Sequence, residues 1–238
     1  MKIKILYEDS NILAIDKPSG ILVHPDQRSK EKTIFDLFFK KYPKLEIVHR
    51  LDKETSGVML LAKNNKAYEF LKKQFQNREV KKTYAAIVDG WVKNDRGVIN
   101  KPIGRSPKDF RRRLSGRGAR GEMREAITEY KVLKRFTLPL IPSLVKEGKT
   151  SPDKGRQEGL FSYLEIRPKT GRTHQIRVHM KFLNHPIVCD SLYHPNGLCP
   201  KEISRLALHA KSIEFKNLKD ETKKIESALP LEFRKIIK

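Results

Sequence analysis

The chemistry on offer centres on one carboxylate. Asp52 sits in His49-Arg50-Leu51-Asp52-Lys53-Glu54-Thr55-Ser56-Gly57, among cations, two hydroxyls and a glycine. A carboxylate so placed is a nucleophile or a base when a nearby cation keeps it ionised and aimed. Standing alone, it is an ordinary solvated turn residue. Arg177 is a candidate partner: like Asp52, it lies where a loop bearing Gly and Thr meets a regular element. An arginine partner favours the charged form of a carboxylate. Tyr84 is a third candidate. A tyrosine on a strand is ordinarily a core or cross-strand residue, and it gains a role only if it faces Asp52.

Other chemistries fit less well. His174 and His179 lack the i, i+4 spacing of a helical zinc site, and no glutamate fills the accompanying slot, so no metal is expected. A hydrolase built on Asp52 needs a second carboxylate or a set of metal ligands, and the sequence shows no such cluster. His24, beside Pro25, reads as a structural turn residue. Cys189 and Cys199 read as a small buried residue and a loop thiol, too few for a disulfide framework.

The chain has 238 residues, enough to bury a real core. Lys and Arg number 51 against 28 Asp and Glu, a net charge of +23, and such an excess attracts polyanions. Basic residues are spread over loops and do not form one amphipathic anchor helix, which favours nucleic acid over a membrane surface. The N-terminus has no signal-peptide core and no apolar run approaches membrane-spanning length. A cytoplasmic protein is expected.

The elements that must hold these residues follow from the hydrophobic pattern. Apolar runs at 3–7 and 12–16 flank a turn at 8–11 and predict a hairpin. Thr33 with Asp36 predicts the capped start of a short helix over 33–41. The run Val58-Met59-Leu60-Leu61-Ala62 predicts a buried strand directly after the Asp52 loop. Ala67, Phe70, Leu71 and Phe75 predict a helix over 64–77, and Lys82 to Val88 a strand. Residues 101–124 show no apolar period, and their arginines, with Phe110 as the one aromatic, predict an exposed basic loop. Arginine is a good bidentate phosphate partner, so Arg111, Arg112 and Arg113 are candidate contacts to a nucleic-acid backbone. Strands are expected over 125–136 and 160–167, with a flexible insertion over 137–159 between them. Thr173 is the expected cap of a helix carrying Ile176 and Arg177. Residues 205–210 are expected to be a helix end leading into a strand at 211–215, and 230–238 a short basic tail ending in a helical turn. No linker divides the chain, so a single domain over 1–238 is expected, as a monomer.

Several of these stretches together resemble the RluA-type RNA pseudouridine synthases. The resemblance rests on His49 to Gly57, Lys82-Thr83-Tyr84-Ala85-Ala86, Gly171 to His179, His185-Pro186-Ile187-Val188 with Asp190 and Tyr193, and Leu206-Ala207-Leu208-His209-Ala210. These lie in the family's order over roughly residues 5–215. The resemblance implies an α+β fold with a mixed, mostly antiparallel central sheet and flanking helices. It also implies isomerisation of uridine to pseudouridine in rRNA or tRNA without cofactor or metal. By the same resemblance Asp52 is the catalytic carboxylate and Arg177 the basic residue that pairs with it. Tyr84 is the catalytic tyrosine that stacks on the target base and is expected to assist departure of the C5 proton, Ile176 an apolar wall of the base pocket, and Arg50 the residue that fills the space left by the flipped nucleotide. Two departures stand out. By the resemblance, the sequence is expected to open on the catalytic domain without the S4 module of many relatives, and RNA affinity is then expected to come from this domain. Cys189 also replaces the glycine usual after His-Pro-Ile-Val. A catalytically silent RNA-binding or ribosome-assembly protein of the same fold is the competing reading.

Overall fold

The first apolar runs form the predicted hairpin. In the computed structural model, which describes residues 3–25, 31–116, 118–139, 158–197 and 199–237, β1 (Lys4–Glu8) pairs antiparallel with β2 (Ile12–Lys17). Asp9 shapes the turn, its Oδ1 accepting from the backbone N–H groups of Asn11 and Ile12, both at 2.7 Å. α1 (Ile34–Phe39) starts as predicted. Thr33 Oγ1 accepts from the Asp36 N–H, and Asp36 Oδ2 accepts from the Thr33 N–H. This reciprocal cap satisfies two donors that a helix start otherwise leaves open. A two-residue strand, β3 (Glu46–Ile47), precedes β4 (Ser56–Ala62) and α2 (Asn65–Gln76), which Asn64 caps by accepting from the Ala67 N–H. The chain continues through β5 (Lys81–Asp89), β6 (Arg96–Asn100), β7 (Ile103–Arg105), β8 (Arg113–Ser115), β9 (Arg120–Arg124), β10 (Ile127–Pro139) and β11 (Glu158–Pro168). α3 (Gln175–Phe182), β12 (Leu208–Lys216), β13 (Thr222–Glu226) and α4 (Leu231–Ile236) complete it. The class is α+β, as expected, and antiparallel pairing dominates.

The chain divides into two compact units. One comprises Met1–Ala85, Arg167–Thr173 and Leu208–Leu229; the other comprises Ala86–Ile166, His174–Ala207 and Pro230–Lys238. In the first, the strands follow the order β1-β2-β4-β12, with β3 on β4 and β13 on β12. Every residue of β4 is buried. Its side chains alternate between two apolar clusters. Met59 and Leu61 join Leu13 and Ile15 of β2 and the residues of α1; Val58 and Leu60 join Ile12, Ala14 and the buried face of α2. A fully buried large apolar side chain contributes about 1.5–3 kcal/mol, so β4 is a rigid base for the loop that enters it. β4 meets β12 in parallel at Ser56 with His209 and Gly57 with Ala210. Gly57 has φ +110, and a Cβ there would collide with the Ala210 backbone, so only glycine fits.

In the second unit β11, β10 and β6 are successive neighbours. α3 is tied to β10 by Gln175, which donates to the Ile127 carbonyl and the Thr128 hydroxyl. Arg205 meets Glu232 at the start of α4, whose Phe233 is fully buried.

Five expectations change here. Residues 101–124 are not a loop: β8, β7 and β9 form a small antiparallel sheet in that order. The strands are three to five residues long and largely exposed, so they leave no alternation in the sequence. The expected insertion over 137–159 is shorter at both ends, because β10 continues to Pro139 and β11 begins at Glu158; residues 140–157 lie outside the described residues. The cap of α3 is His174, in the left-handed conformation at φ +57, and not Thr173. Residues 205–207 are not helical, and β12 begins at Leu208. Cys189 and Cys199 are not thiols but a disulfide, with Cα atoms 5.0 Å apart. A ten-residue loop brings the two together, and composition alone carries no sign of that closure.

Candidate active site

The Asp52 turn is held from behind. Its backbone carbonyl accepts from the Thr55 N–H at 3.1 Å, closing the turn that leads into β4. Lys17, at the end of β2, is completely buried. Its ammonium donates to the carbonyls of Pro18, Lys53 and Thr55 at 3.0, 3.0 and 2.8 Å. Ser19 Oγ donates to the Glu54 carbonyl, and the Gly20 N–H to the Lys53 carbonyl. The carbonyls of residues 53, 54 and 55 are thus all engaged by residues 17–20. Charge-assisted bonds of this kind are stronger than neutral ones. Leu51, just before Asp52, is buried in the α1 cluster. Asp52 itself is half-buried. It is therefore presented from an over-determined turn, not from a solvated loop.

Tyr84, in the same unit, packs against the α1 cluster from β5. Burial raises its phenol well above the ordinary value, and the charge of Asp52 raises it further. Tyr84 thus lies within the field of Asp52. A phenol in this setting stays protonated at neutral pH.

His49 and Arg50 flank the turn differently. His49 Nε2 accepts from the Leu60 N–H at 2.9 Å, and its ring stacks on Phe75 with centroids 4.8 Å apart. Burial, then the charge of Lys82, push it down to about 3. It is a neutral brace between the turn and β4. Arg50 is exposed. His24 carries a pKa lowered by partial desolvation and then by the charge of Arg50. Ser56 and His209 add a buried contact at 2.8 Å between Oγ and Nδ1 where β4 meets β12.

Arg177 belongs to the second unit. Its guanidinium is almost fully buried and is gripped by Asp190 through two parallel bonds, Nε to Oδ2 at 2.8 Å and Nη2 to Oδ1 at 2.7 Å. Asp190 is itself fixed, accepting from the N–H groups of Leu192 and Tyr193. The guanidinium lies over the Tyr193 ring at 5.2 Å. The Tyr193 hydroxyl meets His174 Nδ1 at 2.9 Å and accepts from the Arg113 N–H at 2.9 Å. Ile176 is buried in the first turn of α3. Cys189, immediately before Asp190, has φ +56, the conformation that suits the glycine usual in the resembling family.

Of the arginine triplet, Arg111 and Arg112 share one carboxylate. Arg111 binds Asp109 in bidentate fashion and Arg112 Nε lies 3.5 Å from it. Arg113 turns its guanidinium to the carbonyls of Phe110 and Arg112. Lys17 and the Asp190 grip were not singled out in the sequence. The only visible sign of Lys17 is a lysine closing the wholly apolar run Ile12 to Ile15. Among the described residues no group of three or more His, Cys, Asp or Glu is placed to hold a metal ion.

Comparison with known proteins settles the lineage. The sequence pattern of RNA pseudouridylate synthase matches residues 11–182. The chain belongs to the RNA pseudouridylate synthase family. It is 38% identical over 214 residues to an uncharacterized RNA pseudouridine synthase of Aquifex aeolicus, covering 86% of this chain and 60% of that one. It is also 38% identical over 242 residues to ribosomal large subunit pseudouridine synthase D of Borreliella burgdorferi, covering 97% and 66%. The chain thus spans about two thirds or less of the length of these two curated relatives. Among solved structures, human RNA pseudouridylate synthase domain containing 4 superposes with a TM-score of 0.70 at 27% identity, over 97% of this chain and 90% of that one. Human RNA pseudouridylate synthase domain containing 1 shares the fold, with a TM-score of 0.75 at 24% identity over 96% and 84%.

Proposed function

We propose that this chain is an RNA pseudouridine synthase with Asp52 as its catalytic carboxylate. The observation that carries the reading is the presentation of Asp52 from a braced turn, in the same unit as Tyr84, whose phenol is raised by burial first and by the charge of Asp52 second. In the proposed reaction the C1′–N1 bond of a flipped-out uridine breaks, the uracil turns, and C1′ re-bonds to C5. The C5 proton leaves and N1 gains one, so no cofactor is consumed. Asp52 acts at ribose C1′ as a nucleophile or at C2′ as a base. Tyr84, held neutral, stacks on the uracil and offers its hydroxyl as a donor, not as a phenolate base. Arg177 has the part of the basic residue that accompanies the aspartate in the family, and its bidentate anchor on Asp190 supports a fixed guanidinium over a mobile one. Ile176 supplies apolar surface for the base, and Arg50, being exposed, is able to enter the gap left by flipping.

The substrate class is ribosomal RNA first and transfer RNA second. The relatives from Borreliella burgdorferi and Neisseria meningitidis are named ribosomal large subunit pseudouridine synthase D, and the charge of +23 suits either polyanion. The test is to incubate wild type and Asp52→Asn with unmodified large-subunit rRNA and tRNA transcripts and map pseudouridine chemically. Product from wild type alone is expected. Tight RNA binding with no product on any transcript favours the silent RNA-binding reading.

A further inference from the structure

The small sheet of β7, β8 and β9 has an arrangement of charge that its sequence does not display. Arg113 of β8 lies opposite Arg105 of β7, and Arg105, just past a shift in the β7–β9 register, lies opposite Arg120 of β9. Directly opposed strand residues share a face, with Cβ atoms roughly 5 Å apart. Three arginines therefore stand in one row across the sheet. Like charges so opposed are destabilising, and among the described residues none of the three is in an ion pair. Their neighbours differ. Arg111 and Arg112 are met by Asp109, and Arg124 by Glu122. Among the described arginines on the three strands themselves, those outside an ion pair are the three of the row.

Next to the row stands Phe110. At 71% it is, among the described residues, the most exposed of the large apolar side chains. Its turn is nonetheless built tightly. Ser106 Oγ accepts from the Lys108 and Asp109 N–H groups, Asp109 Oδ1 from the Arg111 N–H, and the Ser106 N–H donates to the Arg112 carbonyl. Arg113, a member of the row, donates from Nη1 to the Phe110 carbonyl at 3.0 Å. An exposed aromatic ring beside a row of like charges suits one class of ligand. A single-stranded nucleic acid brings a π-face for the ring and phosphates for the cations.

We propose that Phe110 and the row Arg105, Arg113 and Arg120 bind an unpaired nucleotide of the RNA, Phe110 stacking on its base and the row taking the flanking phosphates. This rests on the RNA reading above and names where affinity for single-stranded substrate resides. It also moves the phosphate contacts expected of Arg111 and Arg112 onto Arg105 and Arg120.

The test is fluorescence anisotropy of the full chain with two labelled oligomers of equal length, oligouridylate and an abasic sugar-phosphate strand, at several salt concentrations. Phe110→Ala is expected to weaken oligouridylate binding by about 5- to 150-fold, leave the salt slope unchanged, and leave the abasic strand unaffected. Phe110→Tyr is expected to bind like wild type. The double variant R105Q/R120Q is expected to reduce the salt slope by about 1.4, roughly 0.7 for each single-strand phosphate no longer neutralised, and R111Q by much less. Equal weakening on both oligomers for Phe110→Ala, or a slope reduced by R111Q and untouched by R105Q/R120Q, overturns the proposal. Pseudouridine formation by wild type on a ribosomal transcript is scored in parallel. Its absence with the binding pattern intact overturns the catalytic reading alone; its presence with Phe110→Ala binding like wild type on both oligomers overturns the stacking role alone.

Discussion

Lys17 is the residue that turns a common aspartate into an aimed one. A buried ammonium spanning three carbonyls is costly to bury and more costly to remove, since the acceptors it leaves are desolvated. Lys17→Met should therefore lower stability by about 3 kcal/mol, read as a shift of the urea midpoint. It should also reduce turnover while RNA affinity holds. A variant with an unaltered midpoint contradicts the clamp. His49 gives a second, pH-dependent signature. Its folded pKa, about 3, lies below the ordinary 6.5. Its contribution is thus complete above pH 6.5 and is lost as pH falls towards 3, because the unfolded chain takes up the proton first. The slope is at most about 1.4 kcal/mol per pH unit. Imidazole resonances of His49 should show a neutral ring at pH 5, and titration near 6.5 contradicts the assignment. The sequence made Asp52 legible because a polar loop running into a wholly apolar strand is a local pattern. Lys17 and the Asp190 grip on Arg177 were not legible, because each joins residues brought near by the fold.

Regular elements with a strong local signal were read correctly. The Thr33–Asp36 cap lies within three residues of its partner, the apolar face of α2 repeats at helical spacing, and the buried runs of β2 and β4 need no partner to be recognised. Elements whose signal lies in pairing were missed. β7 to β9 are short and exposed, so only their register makes them a sheet. His174 starts α3 in the left-handed region with its ring on Tyr193, where a side-chain cap by Thr173 was the simpler expectation. The loop between Cys189 and Cys199 is another such case. Closing a loop of this length contributes about 3 kcal/mol in the chain-entropy description. Digestion of air-purified protein without reductant should yield a peptide pair joined through Cys189 and Cys199 that separates on reduction. Quantitative alkylation of both cysteines in untreated protein contradicts the bond.

At the scale of the whole molecule, charge and lineage point the same way. A net +23 lowers the energy of any complex with RNA and makes its affinity fall with salt, but charge alone suits a silent binder equally well. Family membership is shown over residues 11–182, and the proposed chemistry rests on Asp52, presented from its braced turn in the same unit as Tyr84. What separates a synthase from a binder is whether C5 of a bound uridine loses its hydrogen. A large-subunit rRNA transcript carrying uridine tritiated at C5 reads this directly. Wild type should release tritium to water up to a whole number of sites per transcript, and Asp52→Asn, with matching RNA affinity, should release none. Equal release from the two proteins, or none from wild type on rRNA and tRNA that it demonstrably binds, contradicts Asp52 as the catalytic carboxylate.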